Sequence, residues 1–97
     1  MKIVRTGIAG TLESSDVMIT VRSNSGKGIK INLQSTVKKQ FGKQIIKVTN
    51  NLLKKLSVED ALIQINDIGA LDCTIEARLA AALYRGAEQS EYDWEKI

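Results

Sequence analysis

Glu13-Ser14-Ser15-Asp16 sets two adjacent hydroxyls between two carboxylates, within the longer run Gly10-Thr11-Leu12-Glu13-Ser14-Ser15-Asp16. A serine becomes a nucleophile when a base takes its proton, and near neutral pH that base is most often histidine. The chain has no histidine. This excludes Ser-His and Cys-His nucleophilic catalysis and histidine-ligated zinc. Cys73 is the single cysteine, so neither an internal disulfide nor a cysteine metal cluster can form. No basic partner lies near the serines in sequence, and no paired carboxylates fall in a cleft-forming pattern. A hydroxyl here is a substrate for another enzyme, or part of a turn, because Ser and Asp bond turn backbones locally. Spacing alone does not separate Ser14 from Ser15.

The elements around these residues are readable. From Lys2 to Leu12 the pattern is strand-like, with Val4, Thr6 and Ile8 alternating, although Gly7 and Gly10 weaken it. Val17, Ile19 and Val21 alternate with Met18 and Thr20, as a half-buried strand requires. Ser23 to Gly28 reads as a hairpin connection, and Ile29, Ile31 and Leu33 form a third strand. Ser35 or Thr36 can cap the next segment. There Val37, Phe41, Ile45, Val48, Leu52 and Leu56 share one helical face. Ala61, Ile63 and Ile65 mark a fourth strand. A last helix follows, with Asp72 as N-cap, an apolar stripe at Ile75, Leu79, Ala82 and Leu83, and Gly86 as C-cap glycine. The predicted fold is α+β: a two-layer, mostly antiparallel four-stranded sheet (β-meander, helix, strand, helix) with two helices on one face. Residues 1–86 form one domain and residues 87–97 an acidic, flexible tail, in which Trp94 can anchor on the domain or in a partner groove.

Ninety-seven residues suit one small core. The net charge of +3 is unevenly spread. Six lysines and no acid lie between Ser35 and Leu56, while eight basic and eleven acidic residues remain elsewhere, a balance of −3. Lys39, Lys43 and Lys47, with Lys54, form a basic helix face that is either a solvated surface or a docking face for an acidic partner. It offers no arginine for base edges, and Phe41 belongs to the apolar face, so nucleic acid is not an expected partner. No apolar run approaches the length of a membrane span, and the first ten residues lack a signal-peptide core. A cytoplasmic location is expected. Cys73 falls near a helix start, where a thiol can be reactive, but it reads as a small buried apolar residue.

The Gly-Thr-Leu-Glu-Ser-Ser-Asp motif resembles that of the acyl carrier subunits (gamma chains) of citrate lyase. Gly69-Ala70-Leu71-Asp72-Cys73, Ala77-Arg78-Leu79 and the Ala-rich helix extend the likeness up to Gly86. The carrier of malonate decarboxylase is similar in size and cofactor, but the N-terminal motif here is closer to citrate lyase. Fatty-acid-type carriers differ: they are acidic helical bundles with Asp-Ser-Leu at a helix start. The resemblance implies that Ser14 is the covalent attachment point of 2'-(5''-phosphoribosyl)-3'-dephospho-CoA. It also implies that Glu13, Ser15 and Asp16 shape the turn or are recognised by the attaching enzyme. The implied partners are the alpha (acyl transferase) and beta (lyase) subunits and a prosthetic-group transferase, around a carrier that is not itself catalytic. The alternative from the residues alone is a small basic protein-interaction or nucleic-acid-binding module without a prosthetic group.

Overall fold

A computed structural model describes residues 1–87; the acidic tail beyond Ala87, with Trp94, lies outside the described residues. Six elements follow in order: β1 (Gly7–Gly10), β2 (Val17–Arg22), β3 (Ile29–Ser35), α1 (Lys38–Lys55), β4 (Ala61–Asp67) and α2 (Asp72–Gly86). The four strands make one sheet in the order β1-β2-β4-β3. β1 pairs antiparallel with β2, and β2 antiparallel with β4, so the sheet is mostly antiparallel as expected.

The expected meander is replaced by a crossover. β4 lies between β2 and β3 and pairs with β3 in parallel. Parallel neighbours need a long connection, and α1 supplies it. The segment after β2 is therefore not a tight hairpin: it bridges two inter-strand spacings, about 10 Å.

The register explains the core. Val17, Ile19 and Val21 stand opposite Asp67, Ile65 and Ile63 on β4. Ile31, Leu33 and Ser35 stand opposite Ile63, Ile65 and Asp67 from the other side. The three β2 side chains and Ile65 are wholly buried, each worth about 1.5–3 kcal/mol of transfer free energy. Ile75, Leu79, Ala82 and Leu83 of α2 close over this row, and Ile45, Val48 and Leu52 of α1 complete it. The opposite row of β4 (Leu62, Gln64, Asn66) is only half-buried, as a sheet covered on one face should be.

Three local expectations are corrected. β1 is short, and its inward residues are Gly7 and Ala9, opposite Val21 and Ile19; Val4 and Ile8 are exposed. The reason is α2. A Cβ on Gly7 would lie 2.0 Å from the Ala82 carbonyl oxygen, so the inward position must be glycine for the helix backbone to approach. Of the expected apolar face, Ile45, Val48 and Leu52 on α1 and Leu56 just beyond it are buried, but Phe41 is exposed because the first turns overhang the core. Neither helix has its expected cap. Val37 and Leu71 occupy the N-cap positions with no side-chain cap bond, and Gly86 is the buried last residue of α2, its carbonyl accepting from the Val4 and Arg5 amides. Among the described residues no helix is long and apolar enough to cross a membrane.

Candidate functional site

The serine pair sits on the connection between β1 and β2. Gly10 ends β1 with φ +94°, and a Cβ there would meet the Val17 carbonyl oxygen at 1.8 Å. The chain can therefore fold back tightly only because that residue is glycine. Next comes a β-turn in which the Asp16 amide donates to the Glu13 carbonyl at 3.1 Å. Ser14 and Ser15 are its central residues. Ser15 has φ +63° and Ser14 does not have positive φ, the pattern of a type II turn. Serine at the left-handed position costs about 1–2 kcal/mol relative to glycine. Long-range bonds offset that cost. The Ser15 amide donates to the Ile68 carbonyl at 2.7 Å, and the Ile68 amide donates to the Asp16 carbonyl at 2.9 Å. This reciprocal pair prolongs the β2–β4 ladder one step beyond Val17 and Asp67 and fixes the turn to the β4–α2 connection.

Asp16 is the keystone. One carboxylate oxygen accepts from its neighbour's Val17 amide at 2.7 Å and from Arg78 Nε at 3.1 Å. The other accepts from the Thr11 hydroxyl at 2.6 Å and Arg78 Nη2 at 3.0 Å. Thr11 Oγ1 accepts in turn from the Glu13 amide. The fork-on-fork contact with Arg78 is the strong geometry for such a pair. Hydrogen bonds from Arg78 first, then Thr11 and the Val17 amide, hold the Asp16 carboxyl well below the usual carboxylate range. Asp16 is thus a bracing residue whose charge is balanced by a cation 62 positions away. Glu13 is the turn's other acid, exposed to solvent and in no ion pair among the described residues.

Ser14 is exposed at the tip of this braced turn, and among the described residues nothing hydrogen-bonds its hydroxyl. Ser15 is exposed too, but its backbone is committed to the pairing with Ile68. Among the described residues no base hydrogen-bonds either hydroxyl. The arrangement presents an alcohol to an incoming enzyme and cannot itself generate an alkoxide.

Behind the turn lies Asp67, whose burial ends the apolar row of β4. Its carboxyl oxygens accept from the Ser35 hydroxyl at 2.8 Å, the Gly69 amide at 3.2 Å and the Ala70 amide at 2.9 Å. Ser35, expected as a helix cap, ties β3 to β4 in this way while accepting from the Val37 amide. Sequence reasoning missed Arg78, Asp67 and Ile68 as parts of the site. The only visible signal was an arginine, Arg78, in the middle of an Ala- and Leu-rich helix whose other arginine, Arg85, lies in its last turn.

Other expected residues lie apart from the turn. Lys39, Lys43, Lys47 and Lys54 are exposed along α1, and no ion pair joins them to it among the described residues. Cys73 is exposed, contrary to its expected burial. It lies two residues before buried Ile75, which puts it about 200° round the helix and outward. Among the described residues no cluster of three metal-ligating side chains exists.

Comparisons with known proteins agree along the whole chain. A family model described as ACP, malonate decarboxylase delta subunit (MdcD), matches residues 4–86. The citrate lyase acyl carrier protein of Clostridium perfringens is 52% identical over 94 residues, covering 97% of this chain and 93% of that one. That of Streptococcus mutans is 50% identical over 97 residues, covering 100% and 95%. Citrate lyase acyl carrier protein 2 of Salmonella typhimurium is 50% identical and covers both chains fully. In structure, a chain of a Pseudomonas malonate decarboxylase hetero-tetramer, crystallised with malonate, superposes with TM-score 0.71 over 88% of this chain and 91% of that one. Its sequence identity is 18%, so this likeness speaks for the fold alone.

Proposed function

The chain belongs to the citrate lyase acyl carrier protein family, and on that premise we propose that Ser14 carries 2'-(5''-phosphoribosyl)-3'-dephospho-CoA through an ester to its hydroxyl. The carrying observation is the exposed, unbonded Ser14 hydroxyl on a turn whose backbone is pinned on both sides. Bound there, the group supplies the thiol that holds acetyl or citryl as a thioester, which accounts for a carrier with no histidine and no catalytic dyad.

What this chain's residues contribute is position and access. A rigid root on a long arm keeps the thiol at high effective concentration near successive active sites. Asp16, Arg78 and Thr11 make the root rigid, and Ser15 keeps the backbone paired to Ile68. Because Arg78 balances Asp16, Glu13 alone opposes the phosphates of the group, so the arm leaves the turn on the side away from Glu13. Glu13, Ser15 and Asp16 together give the prosthetic-group transferase a shaped turn to recognise. The lysine row of α1 (Lys39, Lys43, Lys47, Lys54) offers a basic face for an acidic surface on the alpha (acyl transferase) or beta (lyase) subunit. The carrier is non-catalytic in this scheme: the transferase subunit exchanges acetyl for citryl, and the lyase subunit cleaves the citryl thioester. The location is cytoplasmic, with those subunits.

The test is the intact mass of the protein purified from cells that express the complete set of citrate lyase genes. A mass excess localised to Ser14, lost in Ser14→Ala and retained in Ser15→Ala, is the expected result. Fully matured protein with no adduct at Ser14 would overturn the reading.

A further inference from the structure

We propose that the acyl-bearing end of the Ser14 arm docks, between transfers, in an apolar cleft on the carrier's own surface, between the first turns of α1 and the start of α2. The inference rests on the reading of Ser14 as the tether. The cleft has a volume of about 540 Å³, within the range of small-molecule sites. Phe41 and Leu71 both line it and are 52% and 70% exposed, so the fold itself leaves both large side chains uncovered.

Two observations point to the arm as occupant. The first is continuity. The cleft wall begins at Gly69, the residue after Ile68, and Ile68 is the residue whose amide and carbonyl pin the serine turn. Even if fully extended, the five residues from Ile68 to Cys73 span at most about 18 Å, so the Gly69–Cys73 part of the wall is close to a tether rooted at Ser14, and Val37, Phe41, Gln44 and Ile45 complete the lining. The second is chemistry. A pantetheine arm combines apolar methyls with secondary amides. The cleft combines aromatic and aliphatic walls with Gln44, whose amide nitrogen donates to Asp72 at 2.8 Å and whose oxygen stays available to accept from an amide N–H. Asp72 disfavours phosphate, so the charged root of the arm stays outside while its thioester end enters. The lysine row is elsewhere. Lys39 and Lys43 are each two residues from Phe41, about 200° round α1, so a docked arm leaves that face free for a partner. Docking shields the thioester from water while the carrier moves between active sites.

Cys73 lines the cleft and is the only cysteine of the chain. When the arm is acetylated its own thiol is blocked, so a maleimide reports Cys73 alone. We would measure the maleimide labelling rate of the full chain unloaded, acetyl-loaded, and acetyl-loaded with Leu71→Asp, an exposed position that should not disturb folding. Loading should slow labelling about ten-fold, as expected if the arm occupies the cleft about nine-tenths of the time. Leu71→Asp should restore the unloaded rate. Equal rates in loaded and unloaded protein, with complete loading verified by mass, would overturn the docking while leaving the tether intact. Protection that appears only when a catalytic subunit is added would assign the cleft to that subunit and overturn it equally. Absence of any adduct on Ser14 would overturn the tether, and the docking with it.

Discussion

The two ends of the sheet carry loops of similar composition and different construction. At one end, residues 11–16 hold a serine turn tied to the rest of the chain by Arg78 and Ile68, both more than 50 positions away. At the other, residues 23–28 form a connection rich in serine and glycine. Within it the bonds are short-range, Lys27 amide to Asn24 carbonyl and Asn24 side chain to Gly28 carbonyl, and the long-range ones, from the Gly28 amide to Asp60 and from the Ala61 amide to the Gly28 carbonyl, reach its last residue alone. Turn-forming residue types are thus compatible with a fixed platform or a loose connection. What separates the two is where the long-range bonds fall, on the turn itself in one and on the last residue in the other, and fixing a platform is what an attachment point requires.

Glycine substitution should break this contrast most sharply. Gly10 and Gly26 both have positive φ, +94° and +73°. A Cβ on Gly10 collides with the Val17 backbone, whereas a Cβ on Gly26 meets nothing within 4 Å. Gly10→Ala combines a left-handed alanine with an overpacked backbone contact, a cost of about 4 kcal/mol. Urea denaturation should show it as a large loss of midpoint, or as failure to fold.

Asp67→Ala comes next. It removes the acceptor for the Ser35 hydroxyl and for the Gly69 and Ala70 amides at a buried position. The expected loss is about 2–3 kcal/mol, because part-buried donors are left without partners. Hydrogen exchange at the Ser15 amide should accelerate as well, since its acceptor Ile68 is the adjoining residue. Unchanged exchange there would mean that the turn does not depend on the buried bonds behind it.

Much of this architecture was legible in the sequence, and the failures share a cause. Period-two alternation located β2 and β4, and period-3.6 spacing located both helices, because burial of one face is a local pattern. The insertion of β4 between β2 and β3 is not local: both edges offer similar alternating rows, and only the crossover through α1 decides between them. The inward face of β1 was misread because Gly7 and Ala9 carry little hydrophobic signal, yet they are what lets α2 approach. Residue type and period point Cys73 and Phe41 to the interior; Phe41 is exposed because α1 begins before the core does, and Cys73 because it lies on the side of α2 away from buried Ile75. At the site, the serine turn was readable from its residue types. Its brace was not, since nothing near Asp16 announces Arg78.

Acidification should sharpen the comparison further. Arg78, Thr11 and the Val17 amide depress the folded-state titration of Asp16 below that of the unfolded chain. Its stabilising contribution is therefore complete above the unfolded value of about 4 and is lost as the pH falls below it. Between about pH 5 and pH 3, the urea midpoint of Arg78→Ala should fall less than that of the unsubstituted protein. At neutral pH the variant should be somewhat less stable, with faster exchange at the Ser15 amide. Parallel curves for the two proteins would show that the pair does not hold the turn.

The smallest effect is expected at the opposite end. Asparagine tolerates the left-handed conformation better than other side chains. The space around Gly26 is open, and the bonds of its loop involve Asn24, Lys27, Gly28, Asp60 and Ala61, none of which Gly26→Asn alters. The substitution should therefore change stability by less than about 0.5 kcal/mol and leave exchange at the Ser15 amide unaffected, since β2 and β4 intervene between the two loops. Were Gly26→Asn to loosen the serine turn, the ends of the sheet would have to be coupled through those strands. The turn would then owe its rigidity to the sheet as a whole, and the local brace of Asp16 and Arg78 would be insufficient to explain it.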